Sequence, residues 1–251
     1  MRIGPAIALS ISLLGAKGAI ADHHHPHADA NEARSQFSAQ LSLLAAQYDT
    51  MTYGGDYEGV IPAIGWSSGR YAAMASMAAY RLEENGRTLA GIGDLMFGGS
   101  AMLTEHVGVM LMAMVPTGEK FLGMGHVMAM PSVFARYHTH PLMLGASLGA
   151  DRALNGSAEH AGHGAWPLVE PMNMSEIAWS ASSDLMVTDT ITAGARLSGG
   201  VPVGEPGVNR VIGGVRVGWA QGKLTTGAEL QAGIIGDPFV VRGVLETSVA
   251  F

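Results

Sequence analysis

The sequence predicts an all-β protein: a single closed, antiparallel transmembrane β-barrel of about twelve strands, preceded by an N-terminal signal peptide. Hydrophobic residues make up 48 % of the 251 residues, while charged residues make up only 14 %, well below the quarter that is typical of soluble domains. No run of about 18 apolar residues follows the N-terminus, so helices that span a membrane are excluded. Strands that alternate apolar and polar residues account for this composition, and the 35 glycines suit turns and a crowded barrel wall.

The N-terminal segment predicts export. Arg2 supplies a positive charge, residues 3–14 form an apolar stretch, and Ala19, Ile20 and Ala21 form a small-x-small cleavage site. An uncleaved anchor is the alternative, but the apolar stretch is short for a membrane span. We therefore expect a signal peptide at residues 1–21, a disordered, His-rich periplasmic tail at residues 22–35 and an outer-membrane barrel at residues 36–251.

Alternation with a period of two residues begins at Gln36 and continues to the end of the chain. It predicts strands at residues 36–49, 57–67, 70–81, 93–103, 106–116, 124–137, 141–151, 171–182, 185–197, 208–220, 223–235 and 239–251. Most of these segments have the 9–11 residues that a tilted strand needs to cross a bilayer, or slightly more.

The connections between these strands alternate in length, as expected of an outer-membrane barrel. External loops are predicted at residues 50–56, 82–92, 117–123, 152–170, 198–207 and 236–238. Short periplasmic turns are predicted near residues 67–69, 104–105, 138–140, 183–184 and 221–222. Only the external connection at 236–238 is short.

The two faces of each predicted strand differ in polarity, as a barrel in lipid requires. Val215, Val217 and Trp219 share one parity, and Arg210 and Arg216 share the other. A barrel in lipid places the apolar parity outside and the polar parity in the lumen.

Aromatic residues are expected at the periplasmic interface, namely Phe37, Trp66, Tyr71, Tyr137, Trp179, Trp219 and Phe251. Pro131, inside a predicted strand, and Asp189, on a lipid-facing parity, do not fit, and either could mark a bulge that shifts the register.

Two short motifs resemble a known family. Gly93-Asp94 opens one predicted strand, and Pro116-Thr117-Gly118 ends the next. These motifs resemble the outer-membrane proteins named for the meta pathway of phenol degradation, over about residues 91–135. The resemblance implies a barrel and a channel, without naming a substrate. The terminal Phe251 is similar to the aromatic-ended signal by which bacterial barrels are recognised for assembly, which implies the barrel-assembly machinery as a partner.

Methionine is the most specific chemical feature, with 16 residues in the chain. The parity assigned to the lumen carries Met96, Met102, Met110, Met112, Met114, Met124, Met128, Met130, Met143, Met172, Met174 and Met186, together with His126. Asp94, Asp151 and Glu176 share these strands and this face. Thioethers favour Cu(I), and imidazole suits copper in either state, so Met110, Met112, Met114, His126, Met128 and Met130 are candidate metal ligands. Methionine also packs irregular interiors, so a packed lumen or an apolar lining is the alternative.

The expected mature N-terminus carries further candidate ligands. Cleavage after Ala21 would make His24 the third residue, where the amine, two amides and the imidazole could enclose Cu(II) or Ni(II) in a square plane. His23, His25 and His27 stand beside it, and short His-rich tracts are a metal-binding signal. A solvated tail with incidental histidines is the alternative.

Several functions are disfavoured. A net charge of −7 argues against nucleic-acid binding, and the absence of cysteine removes disulfides and thiolate sites. No HExxH motif, phosphate-binding glycine loop or His-x-Ser pair occurs, so no enzyme is predicted. The expected function is an outer-membrane channel or transport barrel with a Met-rich lumen, with copper or another soft metal as the most specific cargo. The alternatives are passage of small hydrophobic molecules, or a plugged structural barrel.

Overall fold

The computed structural model describes residues 35–49, 54–119, 122–154, 173–204, 207–236 and 239–251. The expected signal peptide and His-rich tail, with His23, His24, His25 and His27, lie outside the described residues. Twelve strands form: β1 (Gln36–Asp49), β2 (Gly54–Ser68), β3 (Tyr71–Glu84), β4 (Arg87–Met102), β5 (Val107–Val115), β6 (Met128–Thr139), β7 (Leu142–Ala153), β8 (Ser175–Met186), β9 (Ile191–Pro202), β10 (Arg210–Gln221), β11 (Leu224–Ile235) and β12 (Phe239–Ala250). The described residues contain no helix long and apolar enough to cross a membrane.

Every strand pairs antiparallel with its neighbours in the chain, and β1 also pairs with β12, so the sheet closes. The predicted fold class, a closed antiparallel barrel of twelve strands, is therefore confirmed. Most strand ends lie within a few residues of the predicted ones, and β1 coincides with the prediction. Closure leaves no open edge of the sheet, which a bilayer demands because it offers no water to unpaired backbone groups.

The predicted external loop at 82–92 is wrong. Strands β3 and β4 run on to Glu84 and Arg87, and only Asn85 and Gly86 connect them. Both residues have positive φ, 49° and 78°, the conformation of a two-residue hairpin turn for which Asn-Gly is the preferred sequence. The surrounding charged residues resembled a loop because they lie near the membrane surface.

The predicted turn at Ser183-Asp184 is also wrong, since β8 continues to Met186 and the chain turns at 187–190. Asp184 faces the lumen and pairs with Arg216, so a polar residue that resembled a turn is an inward residue of a strand. The shift places Asp189 in the turn rather than on the lipid face. It also moves Trp179 away from the periplasmic end, to a position in β8 opposite Leu148.

Pro131 causes no shift of register. It lies opposite Leu111 of β5, and the register between β6 and β7 is the same on both sides of it. The irregularity of this region is in β4 instead. The consecutive residues Gly93 and Asp94 are both buried, which breaks the alternation of the strand. The register between β3 and β4 shifts at the same level, between Met77 and Ala79. This bulge lets Asp94 point into the lumen.

The two faces of the barrel separate as predicted. Apolar side chains of alternate positions are exposed on the outside, among them Leu111, Val133, Leu148, Val215, Leu230 and Leu245. Polar and charged side chains of the other parity are buried inside, among them Asp94, Asp151, Glu176, Arg196, Arg210 and Arg242. The inversion is that of a barrel surrounded by lipid.

Candidate functional site

The outer half of the lumen is filled by an aromatic cluster. It comprises the nearly inaccessible side chains of Tyr48, Tyr57, Tyr80, Leu82, Leu122 and Phe239. The rings of Tyr57 and Tyr80 meet edge to face with centroids 6.5 Å apart, and the Tyr48 hydroxyl donates a hydrogen bond to the Glu83 carbonyl at 2.5 Å. The cluster therefore occupies the external part of the lumen beside β1, β2, β3 and β12.

The connection between β5 and β6 folds into the barrel and is held by Asp94. The backbone N–H groups of Gly118 and Met124 donate to the two carboxylate oxygens of Asp94 at 2.7 and 2.6 Å. Leu122 of this connection belongs to the aromatic cluster. The predicted strand at 124–137 begins only at Met128, because residues 122–127 turn towards Asp94. Met124 and His126 are therefore buried in the connection rather than on β6.

The two sequence motifs that carry the family resemblance meet at this point. Besides the bond from Gly118 to Asp94, the N–H of Leu95 donates to the Thr117 hydroxyl at 2.8 Å. The N–H of Glu119 donates to the Ile92 carbonyl at 2.9 Å. The Gly-Asp bulge of β4 and the Pro-Thr-Gly end of β5 thus form one hydrogen-bonded unit that directs the connection inwards.

Below the aromatic cluster lies a cavity of about 1000 Å³. Residues of the short turns surround its mouth, including Gly69, Glu105 and Asp189, so it opens at the periplasmic end of the barrel. Its deepest lining residues are Met96, Met114, Met130, Asp151, Glu176 and Arg210. The cavity thus runs from the periplasm towards the aromatic cluster.

One side of this cavity is a methionine wall, formed by Met96, Met110, Met112, Met114 and Met130. Strand register sets Met96 and Met128 on either side of Met114, and sets Met130 beside Met112. On the other side of Met112 stands Gly98, where a Cβ would lie 2.5 Å from the Met112 sulfur and 2.3 Å from the Leu111 carbonyl oxygen. The glycine therefore makes room for a methionine to lie flat against the barrel wall.

The predicted metal ligands are partly brought together. Met110, Met112, Met114 and Met128 join Met96 and Met124 in one buried cluster, and Met130 packs against it. His126 is 5 % exposed but is not among the residues that line the cavity. Within the described ranges, no group of three or more His, Asp or Glu side chains is placed to hold a metal ion.

The opposite side is a charged wall, formed by cavity-lining residues of β7 to β12: Asp151, Glu176, Asp184, Arg196, Arg210, Arg216, Glu229 and Glu246. Arg210 donates to one Glu176 oxygen, and the Asn173 amide donates to the other at 2.6 Å. Arg216 binds both oxygens of Asp184, through Nε at 2.6 Å and through Nη2. These charge-assisted bonds fix the side chains against the barrel wall.

Asp151 differs from its neighbours in this wall. It is 9 % exposed and lines the deep end of the cavity. It lies opposite Glu176 in the register of β7 and β8. No hydrogen bond or ion pair joins its carboxylate to another described residue. Sequence parity placed Asp151 in the lumen, but only the structure shows that the nearby Arg210 is bound to Glu176.

No family model matches the chain, and no curated protein matches it. Its fold is similar to that of the KdgM porin, with a TM-score of 0.52 at 7 % identity over 85 % of this chain and 99 % of that chain. The KdgM porin in complex with disordered oligogalacturonate gives the same score and identity over 86 % and 99 %. The translocator domain of the autotransporter NalP from Neisseria meningitidis matches over 96 % and 95 % at 13 % identity, with a TM-score of 0.48.

At these identities the likeness concerns the fold alone. The closed sheet of twelve strands, with its apolar exterior and polar interior, is the architecture of bacterial outer-membrane barrels. The chain is accordingly a barrel of the bacterial outer membrane.

Proposed function

We propose that the barrel is a channel for small solutes that carry apolar surface, with the cavity as their periplasmic vestibule. The observation that supports this most is the two-sided lining of the cavity, a methionine wall facing a charged wall. Methionine is flexible and adapts to apolar surfaces of different shape, while the charged wall keeps the cavity wet. Leu122 of the β5–β6 connection lies in the aromatic cluster, so a solute that leaves the cavity towards the outside passes this connection.

Liposome swelling tests this proposal with two solutes that do not cross lipid readily, serine and leucine. An ordinary water-filled pore favours serine, because it is the smaller molecule. We expect barrel-containing liposomes to swell faster in leucine than in serine. Replacing Met112 and Met130 by Gln should remove that preference, whereas Leu at both positions should keep it. Swelling in neither solute would indicate a plugged barrel, and faster swelling in serine would contradict the proposed solute class.

A second candidate function is the handling of Cu(I) or a related soft cation, which the buried cluster of six methionines favours. Thioethers bind soft cations in preference to hard ones. Titration of the purified barrel with Ag(I), a redox-stable substitute for Cu(I), tests it with and without residues 22–34. Binding should be lost on replacing Met112 and Met114 by Leu, which keeps the volume and removes the sulfur. Met77→Leu is the matched control, because Met77 points outwards and is 40 % exposed.

Binding that disappears with residues 22–34 would instead assign metal capture to the His-rich tail and remove the cluster from this role. Binding in neither form would leave packing and apolar lining as the role of the methionines.

The family and the assembly partner are further parts of the proposal. The unit formed by Asp94, Thr117 and Gly118 supports membership in the meta-pathway family, because the two motifs that resemble this family are hydrogen-bonded to each other. Phe251 is 64 % exposed at the periplasmic end and pairs through its backbone with Phe37. It is our proposed recognition point for the barrel-assembly machinery. Deletion of Phe251 should lower the amount of folded barrel in outer membranes without lowering its refolding yield in detergent.

A further inference from the structure

Among the described residues, the deep end of the cavity holds more carboxylates than cations. Two carboxylates, Asp151 and Glu176, lie opposite each other on β7 and β8, with their Cβ atoms about 4.5–5.5 Å apart as in any such pair. Arg210 and Glu176 both act electrostatically on Asp151, and Arg210 forms its ion pair with Glu176. With all three groups ionised, they sum to one negative charge.

The hydrogen bonds of Glu176 do not involve Asp151. One Glu176 oxygen accepts from Arg210, and the other accepts from the backbone and side-chain N–H groups of Asn173 at 3.2 and 2.6 Å. Asp151 makes no such bond to a described residue, although nine-tenths of it is buried. A buried carboxylate without a partner is unfavourable, so a cation that enters the cavity would gain from binding there.

The methionine wall borders the same point. The pairs Ala129–Arg152 and Ser132–Gly149 flank the position of Met130 in β6 and place it beside Asp151 in β7. Met112 stands next to Met130 in the same row across the sheet. Both methionines line the cavity. A ligand held by Asp151 would thus lay any apolar part on these two side chains.

We infer that Asp151, Met130 and Met112 form a binding site for small hydrophobic cations, an ammonium group with an apolar or aromatic body. The ammonium donates to the Asp151 carboxylate, and the body contacts the methionine wall, whose sulfurs also make favourable contacts with aromatic rings. The inference rests on the proposed channel function only in that solutes reach the cavity from the periplasm. It adds the charge of the solute, which the proposed function leaves open.

Equilibrium titration of the purified full chain in detergent tests the site with benzylamine and with benzyl alcohol, its neutral analogue of similar shape. Titration of empty micelles is subtracted. We expect benzylamine to bind about ten- to a hundredfold tighter, since a charge-assisted bond replaces a neutral one. Asp151→Asn should bring the two affinities to within about twofold, and Asp151→Glu should restore part of the preference. Met130→Gln should weaken both ligands, whereas Met130→Leu should weaken neither.

Asp189→Asn is the matched control, because Asp189 lines the mouth of the same cavity and should leave the preference unchanged. Each variant is compared only if it shows the heat-modifiable mobility of a folded barrel on SDS gels. Equal affinity of wild-type protein for the amine and the alcohol would overturn the inference, as would an unchanged preference in Asp151→Asn. Ag(I) binding that depends on Asp151, without amine preference, would overturn it in favour of a soft-metal site.

The liposome experiment separates this inference from the proposed function. Amine binding without any solute flux would keep the site and reject the channel. Leucine flux without amine preference would keep the channel and reject the site.

Discussion

Asp94 shows how much of the lumen depends on one side chain. The bulge in β4 turns it inwards, and its two oxygens accept the N–H groups of Gly118 and Met124. Those two bonds hold the described parts of the β5–β6 connection, residues 116–119 and 122–127, towards the lumen. Sequence parity predicts that Asp94 faces the lumen, but the bulge and the two amides involve residues separated by up to 30 positions. No local pattern reveals such a contact.

Replacing Asp94 by Asn should destabilise the barrel. Asparagine has one oxygen, so its NH₂ group would meet one of the two N–H groups that now donate to the carboxylate. We expect a loss of about 1–3 kcal/mol in the free energy of unfolding, measured by urea titration of the protein in detergent micelles. Glu105→Gln is the control, because this side chain is 83 % exposed at the periplasmic end. A change in Asp94→Asn no larger than that of the control would mean that the two bonds do not hold the connection.

Asp184 makes the same point for the charged wall. A polar pair, Ser183-Asp184, has the composition of a turn, and sequence alone offers no reason to continue the strand through it. The strand continues because Asp184 pairs with Met143 of β7 and Gly194 of β9. Arg216, which lies beyond Gly194 in the same row on β10, binds both of its carboxylate oxygens. Charged residues inside a barrel therefore mislead sequence reasoning most where their partners lie far along the chain.

Among the elements, the hairpin of β3 and β4 illustrates the opposite case, in which the local signal is strong. Asn85-Gly86 is the preferred sequence of a two-residue turn, and the N–H of Asn85 also donates to the Gly54 carbonyl at 3.2 Å. The alternation rule gave the right number of strands because lipid and lumen impose opposite polarity on every strand. It misplaced strand ends where polar residues continue beyond the membrane surface, as they do at Glu83 and Glu84.

Replacing Gly86 by Ala tests the turn. The φ of 78° at Gly86 lies in the left-handed region, which costs roughly 1–2 kcal/mol for a residue with a Cβ. We expect a loss of that size in the free energy of unfolding in micelles. Gly54→Ala is the matched control beside the same turn, because a Cβ there would meet no atom within 4 Å. Equal stability of the two variants would contradict the assigned turn conformation.

At the scale of the whole molecule, the barrel has three environments: the lipid-facing exterior, the filled outer lumen and the two-sided cavity. Composition and parity predict the first of these, because the exterior obeys one rule at every strand. The other two depend on which strands become neighbours around the closed sheet. Met96, Met112 and Met130 form a wall because β4, β5 and β6 are adjacent, whereas the aromatic cluster joins side chains from β1, β2, β3 and β12.

The exterior can be tested by placing a charge on it at two heights. Leu148, in the middle of β7, is 60 % exposed, and Val203, just beyond the end of β9, is 47 % exposed. Arginine on the lipid face costs about 2–4 kcal/mol at the middle of the bilayer and about 0–1 kcal/mol near its surface. Leu148→Arg should therefore lower the free energy of folding into lipid vesicles by the larger amount, and Val203→Arg by the smaller.

The comparison separates a membrane barrel from a water-soluble one with the same strands. In water both positions are solvent-exposed, so two arginines would be tolerated about equally, and each would improve solubility. In lipid the cost of an arginine follows its depth in the bilayer and not its exposed fraction. Leu148 and Val203 differ little in exposed fraction but strongly in depth, so only a lipid environment should separate them. Equal effects of the two substitutions in vesicles would mean that the apolar band is not centred on the middle of β7, and the position of the cavity relative to the membrane would have to be revised with it.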